Sequence, residues 1–512
     1  MHRKQDAEKN MKTFVISGLG QEFFRDIELI AQCFFEEVHV KGANEDQSGD
    51  YFLDFTLCEG RPVETKARLR DLNSGEVYES CHQRDVEAKV SGKEFTKRVR
   101  QAVKYVFLQV MEKATGIDQP WGILTGIRPV KLFHSLLQEG FSVKEAVEKL
   151  QHDYLLHPEK TEILTEIVQR QKSVLPDLYE LDGEVSIYIG IPFCPTKCAY
   201  CTFPAYAIQG RNGTVEDFLA GLHEEIKAIG KWLKEKRLNV TTIYFGGGTP
   251  TSISVPQMDG LFRQLKKHIP HFEKVRELNV EAGRPDTLDE EMLELLRSWN
   301  VDRISINPQS FKEETLKWIG RHHTVKETLD KYHLAREKGF TNINMDLIIG
   351  LPGENAETFQ QTLYTIRDLK PESVTVHTLS FKRGSAMTQN KDKYQVAGRE
   401  ETRTMVKMAR DWAKESGYVP YYLYRQKNIL GNQENVGYAL PGQENMYNII
   451  IMEERQTIIG LGCGAVSKIV SPHTGRITRF SNPKEPKAYI DSFHRYLHKK
   501  IGQLDEIYGP SE

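Results

Sequence analysis

Six short apolar runs recur between residues 185 and 379, and this rhythm constrains the fold more than any other feature of the chain. Amphipathic segments, such as residues 215–236 and 327–339, fit between consecutive runs. Such alternation is typical of βα units around a parallel sheet. Six units are too few for a closed eight-stranded barrel, so we predict an α/β fold with an open, partial βα barrel of six strands. The predicted strands are residues 185–190, 241–246, 277–282, 303–308, 342–348 and 373–379.

The regions on either side of this barrel have different patterns. Residues 1–180 carry alternating, strand-like stretches followed by a helical repeat at residues 94–116, which predicts an N-terminal α+β domain of unknown role. Within it, PWGILTGIRPVKLF (residues 120–133) holds two glycines and two prolines, which predicts a loop or docking segment. We predict the barrel domain for residues 181–384. Residues 385–512 are predicted to form a mainly helical C-terminal region that binds or covers a substrate.

Composition limits the class of protein and its compartment. The 512-residue chain is 39% hydrophobic and has a formal net charge of −2, which argues against disorder and against a polycation that binds nucleic acid. No apolar run is long enough to span a bilayer and the N-terminus is polar, so we expect a cytoplasmic protein, and a monomer. Four of the seven cysteines are scattered singly and are predicted to be buried structural residues: Cys33, Cys58, Cys81 and Cys463.

The other three cysteines lie together in IPFCPTKCAYCTF, directly after the first predicted strand. Cys194, Cys198 and Cys201 have the spacing C-x3-C-x2-C, and one loop of this length can wrap a single inorganic centre. A redox pair would leave Cys194 unexplained, and structural zinc would need a fourth ligand that the loop lacks. Three thiolates on a four-iron cluster leave one iron open. This vacancy favours coordination of a substrate or cofactor.

Further polar groups follow the other predicted strands, at the end of the barrel where loops converge on one opening. GGGTPT (residues 246–251) removes three side chains after the second strand, so that backbone N–H groups can approach a ligand closely. Glu281, Gln309 and Asp346 sit at the ends of later strands or within them, and together they could line a cofactor site. Arg321, in GRHHT, could pair with a carboxylate, whereas His322 and His323 are predicted to be surface loop residues.

Together these motifs resemble those of the radical S-adenosylmethionine (SAM) enzymes. Within that superfamily, IPFCPTKCAYC, GGGTPT, VEAGRPD, RISINPQSF, GRHHT and DLIIGLPGE resemble the oxygen-independent coproporphyrinogen III oxidase family. PWGILTGIRPVKLF and GNQENVGYA are most similar to its HemZ branch. The resemblance extends over about residues 185–470, and it reaches the N-terminal region through that branch alone.

The resemblance implies a cofactor set and a role for each residue. Cys194, Cys198 and Cys201 would ligate a [4Fe-4S] cluster, while Tyr188 and Tyr200 would flank the cluster and SAM. Contacts to one or two SAM molecules are implied for Gly247, Gly248, Thr249, Glu281, Gln309, Arg321 and Asp346, with Ser380 as a looser match.

The resemblance also implies a reaction. Two propionate side chains of coproporphyrinogen III would be oxidatively decarboxylated to vinyl groups, giving protoporphyrinogen IX in oxygen-independent haem biosynthesis, with a low-potential electron donor. The candidate partners of the substrate's propionates are Lys382, Arg383, Arg425 and Lys427.

At a few positions the chain departs from its relatives. The oxidases carry a fourth cysteine where this chain has Phe203 and a histidine where it has Gly190. An aromatic residue at position 203 resembles the haem chaperones of the same superfamily, but their haem-binding histidine and tryptophan correspond here to Glu434 and Ala439. A haem-binding chaperone and a radical SAM enzyme acting on another tetrapyrrole therefore stay open as alternatives.

Overall fold

The computed structural model describes residues 11–45, 47–87, 90–126, 128–208, 213–382, 384–390 and 393–509. The chain divides into two compact units, residues 1–165 and 166–512. Within the described residues, no helix is both long and apolar enough to cross a membrane.

The first unit is an α+β structure, as predicted. Its five-stranded sheet has the order β2-β1-β3-β4-β5, in which β1 is parallel to both neighbours and β3 to β5 form an antiparallel meander. The strands are β1 Met11–Ser17, β2 Glu37–Gly42, β3 Tyr51–Cys58, β4 Val63–Asp71 and β5 Val77–Arg84. The helices are α1 Phe24–Ala31, α2 Gly92–Thr115, α3 Pro129–Gln138, α4 Val143–Tyr154 and α5 Pro158–Val174, which contains the division between the units.

Apolar and polar residues alternate along the strands of this sheet, so that one face is apolar and is covered by a helix. Buried and exposed residues alternate along β4, and α2 packs against β4 and β5. Two cysteines of the unit were predicted wrongly: Cys58 and Cys81 are exposed, because they fall on outward-facing positions of β3 and β5. Cys33, and Cys463 in the second unit, are buried as predicted.

The second unit contains the predicted open barrel. Six parallel strands follow one another in chain order across the sheet, each hydrogen-bonded to the next. They are β6 Glu184–Ile191, β7 Asn239–Gly247, β8 Glu277–Glu281, β9 Arg303–Ser305, β10 Ile343–Ile349 and β11 Ser373–Thr378. The helices between and after them are α6 Val215–Lys236, α7 Val255–His268, α8 Glu290–Ser298, α9 Glu313–Trp318, α10 Val325–Glu337 and α11 Ala356–Leu369.

The C-terminal region supplies the predicted helices and also five strands. The helices are α12 Ala386–Gln389, α13 Arg399–Glu415, α14 Met446–Glu453, α15 Pro486–Ile490 and α16 Phe493–Tyr508. The strands are β12 Val419–Tyr424, β13 Asn435–Ala439, β14 Thr457–Gly462, β15 Val466–Val470 and β16 Ile477–Ser481. These strands extend both edges of the barrel into an eleven-stranded open sheet, β12-β13-β11-β10-β9-β8-β7-β6-β14-β15-β16.

Among these added strands, β14 has particular consequences for the site. It pairs in parallel with β6, residue for residue from Thr457 opposite Val185 to Gly462 opposite Gly190. Every residue of β14 is buried, so the strand lacks the alternation by which half-buried strands are predicted from sequence. The strand from which the cysteines emerge is therefore flanked on one side by β7 and on the other by a segment near the end of the chain.

Candidate functional site

The three clustered cysteines lie on a loop, residues 192–206, that leaves the carboxyl end of β6; we call it the cysteine loop. Its base is closed by backbone hydrogen bonds from Cys194 N to Tyr206 O, 3.0 Å, and from Tyr206 N to Pro192 O, 2.9 Å. Farther along, Ala199 N donates to Ile319 O at 2.9 Å. These bonds fix the loop against its own return path and against the segment after β9.

The glycine turn after β7 packs directly on this loop. Gly248 N donates to Ile191 O at 2.8 Å and Thr249 N donates to Phe193 O at 2.7 Å. A Cβ atom at Gly247 would come within 2.7 Å of Ile191 O, and one at Gly248 within 2.5 Å of Phe193 O. The sequence suggested that these glycines let a ligand approach the backbone. In the structure, the absence of side chains at Gly247 and Gly248 lets the cysteine loop pack directly on the backbone of this turn.

The three thiols share one neighbourhood. Cys194 and Cys198 are buried and Cys201 is half-buried, and Cys194 Sγ lies 3.1 Å from Thr249 Oγ1. Burial raises the pKa of Cys201, and negative charge on Cys198 or Cys194 would raise it further. Among the described residues, no three Cys, His, Asp or Glu side chains meet in the geometry of a metal site, so the cluster ligands stay a prediction.

Three cations surround these thiols. Arg284 Nη1 donates to Thr196 Oγ1 at 2.9 Å and lies 3.9 Å from Cys198 Sγ, while its Nε and Nη2 hold Asp286 at 2.9 and 2.7 Å. Arg321 is also buried, and Lys382 interacts electrostatically with Cys201. Positive charge favours the thiolate, the form that ligates iron. We did not assign Arg284 from sequence, although it stands in the VEAGRPD motif.

The predicted residues Tyr200 and Arg321 come together beside Cys198. Burial by itself would lower the pKa of Arg321, but Tyr200 and Cys198 more than offset that effect and raise it. Arg321 Nη1 donates to the backbone oxygen of Asn307. Arg321 is thus tied to the cysteine loop, and it forms no ion pair with any carboxylate of the described residues.

Two carboxyl groups at the strand ends have pKa values pushed apart. Burial raises the pKa of Glu281 to about 7, and Asp346 contributes to this shift, while the Glu281 carboxyl accepts a hydrogen bond of 2.6 Å from Tyr244. Burial would also raise the pKa of Asp346, but hydrogen bonding to His377 and Asn344 lowers it overall. His377 Nε2 lies 3.5 Å from Asp346 Oδ2. One group is therefore poised to exchange a proton near neutral pH while the other stays ionised.

Stacked tyrosines form a wall beside Glu281. The rings of Tyr244 and Tyr447 are 4.4 Å apart and inclined by 19°, and the predicted residue Tyr188 stacks on Tyr244 at 6.2 Å. Tyr424, in β12, bonds His377 Nδ1 at 3.1 Å. Both Tyr447 and Tyr424 come from the C-terminal region. Tyr424 stands in the aromatic and basic segment YYLYRQKN (residues 421–428), whereas no motif in the sequence marks Tyr447.

The remaining predicted site residues differ in burial and in hydrogen bonding. Gln309 is buried in the left-handed conformation at φ 64°, and its N–H donates to Asp346 O at 2.9 Å. The hydroxyl of Ser380 is occupied, because it donates to Lys427 O at 2.7 Å. Arg425 is buried and donates to Asn432 O at 3.3 Å. Lys427 is exposed, and Arg383 lies outside the described residues.

His323 was predicted wrongly. Its neighbour His322 is exposed, but His323 is buried, and neither ring nitrogen has a hydrogen-bond partner in the described parts of the chain. Burial, together with the positive charges of Arg321 and Arg284, lowers the pKa of His323 to about 3. The side chain is therefore neutral. No local pattern marks this burial, because it arises from tertiary packing near Arg321 and Arg284.

The structure gives the environment of each position at which the sequence departs from the motifs of the oxidases or chaperones. A Cβ at Gly190 would come within 2.9 Å of Cys463 O, because β14 packs beside this strand end. Phe203 is 58% exposed and lies 5.9 Å from Lys382 Nζ. Glu434 and Ala439 are both buried, and Ala439 pairs with Ser373 and Val419 inside the sheet.

The donor chemistry of the residues present suits an iron-sulfur cluster and a polar cofactor beside it. Gln309 Oε1 and Tyr447 Oη are buried without a hydrogen-bond partner among the residues described, and they neighbour Asp346 and Glu281 respectively. Buried polar atoms are nearly always bonded, so unpaired atoms beside two carboxyl groups are typical of a site for a ligand with polar groups. Three thiols under three cations provide the donors that an iron-sulfur cluster takes.

Comparison with known proteins gives consistent similarities. The profile of the radical SAM superfamily matches residues 188–366. The chain is 54% identical over 494 residues to the oxygen-independent coproporphyrinogen-III oxidase-like protein HemZ of Bacillus subtilis (strain 168), covering 96% of this chain and 98% of that protein. It is 30% identical to the heme chaperone HemW of the same organism, over 60% of this chain and 75% of the chaperone.

Among solved structures, the chain resembles coproporphyrinogen III oxidase (HemN) from Escherichia coli. The TM-score is 0.51 at 22% sequence identity, over 64% of this chain and 72% of the oxidase. This likeness concerns the fold, and the open α/β barrel predicted from the sequence is confirmed by it.

Proposed function

Because the chain belongs to the radical SAM superfamily and, within it, to the family of coproporphyrinogen-III oxidase-like proteins that includes HemZ, we propose that it oxidatively decarboxylates coproporphyrinogen III to protoporphyrinogen IX without oxygen. The observation that carries the proposal is the match to HemZ, which extends over nearly the whole of both chains. Each of the two propionates that react would lose a hydrogen atom beside the ring, carbon dioxide and one electron. An electron acceptor is therefore required.

The proposed cofactors are one [4Fe-4S] cluster and one or two molecules of SAM. When bound, they would supply a carbon-centred radical that can take a hydrogen atom from the substrate. Cys194, Cys198 and Cys201 would hold the cluster. Arg284 and Arg321 would stabilise the negative charge of these thiolates.

The polar groups around Glu281, Gln309 and Asp346 would bind and orient SAM. Glu281, whose carboxyl already accepts from Tyr244, can accept a further hydrogen bond from a ribose hydroxyl or an amine. Gln309 Oε1 offers an unpaired acceptor, and the Asp346 carboxylate, held by Asn344 at 2.7 Å, offers a fixed negative charge. The turn after β7 is held against the cysteine loop by Gly247, Gly248 and Thr249. The cluster and SAM would be flanked by Tyr188 and Tyr200, which would exclude water from them.

A haem-binding chaperone is the second candidate, because HemW relatives match and Phe203 is exposed at the position of the oxidases' fourth cysteine. The surroundings of Glu434 and Ala439 argue against it. Both are buried at a strand of the central sheet, and neither a buried glutamate nor a sheet alanine offers an axial ligand to haem.

The deciding experiment is anaerobic turnover. The chain is reconstituted with iron and sulfide, supplied with SAM, a low-potential reductant and coproporphyrinogen III, and analysed by chromatography for vinyl products and 5′-deoxyadenosine. Both products are expected. Cys198→Ala should abolish both, together with the visible absorption of the cluster, whereas Cys58→Ala, an exposed cysteine of the first unit, should change neither.

The other outcomes identify the alternatives. 5′-Deoxyadenosine without any loss of coproporphyrinogen would mean a radical SAM enzyme acting on another substrate. Absence of both products, with tight haem uptake by the same preparation, would refute the proposal and support a chaperone.

A further inference from the structure

The first unit contains a cavity of about 690 Å³, which we call the basic pocket. Its walls are the N-terminal half of α2 and the segment from Ile123 to Gly126, with Leu132 and Tyr154. That segment belongs to PWGILTGIRPVKLF, the motif to which the sequence assigned no chemistry. The volume lies within the range of about 300–1,000 Å³ that is typical of small-molecule sites.

Four cationic side chains of α2 face this cavity. Lys93, Lys97, Arg100 and Lys104 all line it, and their spacing of four, three and four residues puts them on one face of the helix. They span about 16 Å along the helix axis. Among the residues described, no aspartate or glutamate lines the pocket. Its surface is therefore positively charged along one wall.

These charges are only partly neutralised by the protein. Arg100 pairs with Asp26 at 2.7 Å and Lys97 lies 3.3 Å from Glu94. For Lys104, which is half-buried, the described residues supply no hydrogen bond or ion pair. Burial, and repulsion from Arg100 and Arg84, lower the pKa of Lys104 although Asp26 opposes the shift. A half-buried ammonium group without a partner costs free energy that a bound anion would recover.

Two buried polar side chains of the lining, Gln101 and Tyr154, are held in place by hydrogen bonds. Gln101, which lines it, accepts from the buried Arg84 at 2.7 Å and donates to the Tyr154 hydroxyl at 3.0 Å. Tyr154 thus accepts one hydrogen bond and can still donate its own proton to a ligand. Ile123, Leu124 and Leu132 supply apolar surface beside these groups. A ligand that fits must combine an apolar body with several negative groups spread along one edge.

We infer that the basic pocket of the first unit binds a tetrapyrrole that carries several carboxylates, through Lys93, Lys97 and Lys104. The class of anion rests on the proposed function, since a macrocycle with four propionates has both the apolar body and the spaced carboxylates that the pocket requires. The first unit would then hold substrate or product, whereas chemistry takes place in the second.

The test is titration of the full chain with coproporphyrin III, the stable oxidised form of the proposed substrate, followed by fluorescence. Lys93→Gln/Lys97→Gln/Lys104→Gln should weaken the pocket's affinity at least about tenfold, because each charge-assisted hydrogen bond removed contributes strongly. Lys66→Gln/Lys113→Gln/Lys144→Gln removes the same charge from exposed positions elsewhere in the unit, outside the pocket lining, and should leave the affinity unchanged. Binding should also weaken as salt is raised.

Equal affinity in the two triple variants would overturn the inference, as would displacement of coproporphyrin by RNA at lower concentration than by a second tetrapyrrole. Failure of the pocket and failure of the proposed function give different results. Wild-type turnover with unaltered binding in the pocket variant refutes the pocket alone, and pocket binding without turnover refutes the reaction alone.

Discussion

Replacement of Lys500 by methionine should destabilise the second unit strongly. Lys500 Nζ, in α16, lies 2.9 Å from Glu225 Oε1 in α6, and the two side chains are 0% and 1% exposed. The Glu225 carboxylate also accepts from Gly462 N at 2.7 Å and from the Tyr489 hydroxyl at 2.7 Å. Lys500→Met keeps the apolar stem but leaves this carboxylate buried without its cation. Breaking a buried pair in this way costs about 3–5 kcal/mol.

This cost can be converted into a melting temperature. With about 2.1 cal/mol/K of unfolding entropy per residue, residues 166–512 unfold with an entropy of about 0.7 kcal/mol/K. The calorimetric Tm of the second unit should therefore fall by about 4–7 °C. Lys499→Met is the matched control, because Lys499 is the exposed neighbour on the same helix. Its Tm should stay within about 1 °C of the wild type.

A second variant tests the physical reason. In Glu225→Gln/Lys500→Met the uncompensated charge is gone, so the double variant should be more stable than Lys500→Met alone. Two results would contradict this account. Lys500→Met could have the same Tm as Lys499→Met, or the loss of stability in the double variant could equal the summed losses of Lys500→Met and Glu225→Gln.

Three further predictions concern the site. Gly248→Ala should bind less than half the iron of the wild type after anaerobic reconstitution, because its Cβ would meet a backbone oxygen of the cysteine loop at 2.5 Å. Gly183→Ala, with open space around its Cβ, should bind iron like the wild type. Equal iron in the two variants would contradict this account. Arg284→Lys should also lose visible cluster absorption, because lysine cannot hold Asp286 through two nitrogens and reach the cysteine loop at once. Undiminished absorption would show that a positive charge at this position is enough to hold the cluster. Burial raises the pKa of Glu281 from 4.5 to about 7, so the folded state retains a proton that the unfolded state releases and wild-type stability should fall as pH rises from about 4.5 to 7. Glu281→Gln lacks this loss, and thermal unfolding of the apoprotein should show it gaining up to about 3 kcal/mol on the wild type between pH 5 and pH 8; a constant difference would be the contrary result.

Local patterns explain why the centre of the fold could be predicted from sequence. The six strands of the barrel are separated by amphipathic helices, and Cys194, Cys198 and Cys201 are adjacent in sequence, so one short window carries each signal. Glu281 and Asp346 stood out because they are acidic residues in apolar strands.

What the sequence concealed depends on contacts between distant segments. His377 meets Tyr424 across a separation of 47 residues, and Tyr447 stacks on Tyr244 from a helix more than 200 residues later. The buried strand β14 has no alternation, so nothing distinguished it from a loop or a buried helical turn. The glycines of GGGTPT were recognised, but their steric partner, the backbone of Ile191 and Phe193, could be identified only after folding.

The position of β14 also has a consequence for the order of biosynthesis. A ribosome that has completed the cysteine loop must still translate about 256 residues to reach Gly462, which takes roughly 13–51 s at 5–20 residues per second. Throughout that interval the edge of β6 that pairs with β14 stays open, and the carbonyl of Cys463 that lies beside Gly190 does not yet exist. The cysteine loop therefore reaches its final surroundings only after β14 has been made, so we expect the proposed cluster to be inserted after β14 has paired with β6. Nascent chains stalled before residue 457 should then fail to bind iron and sulfide.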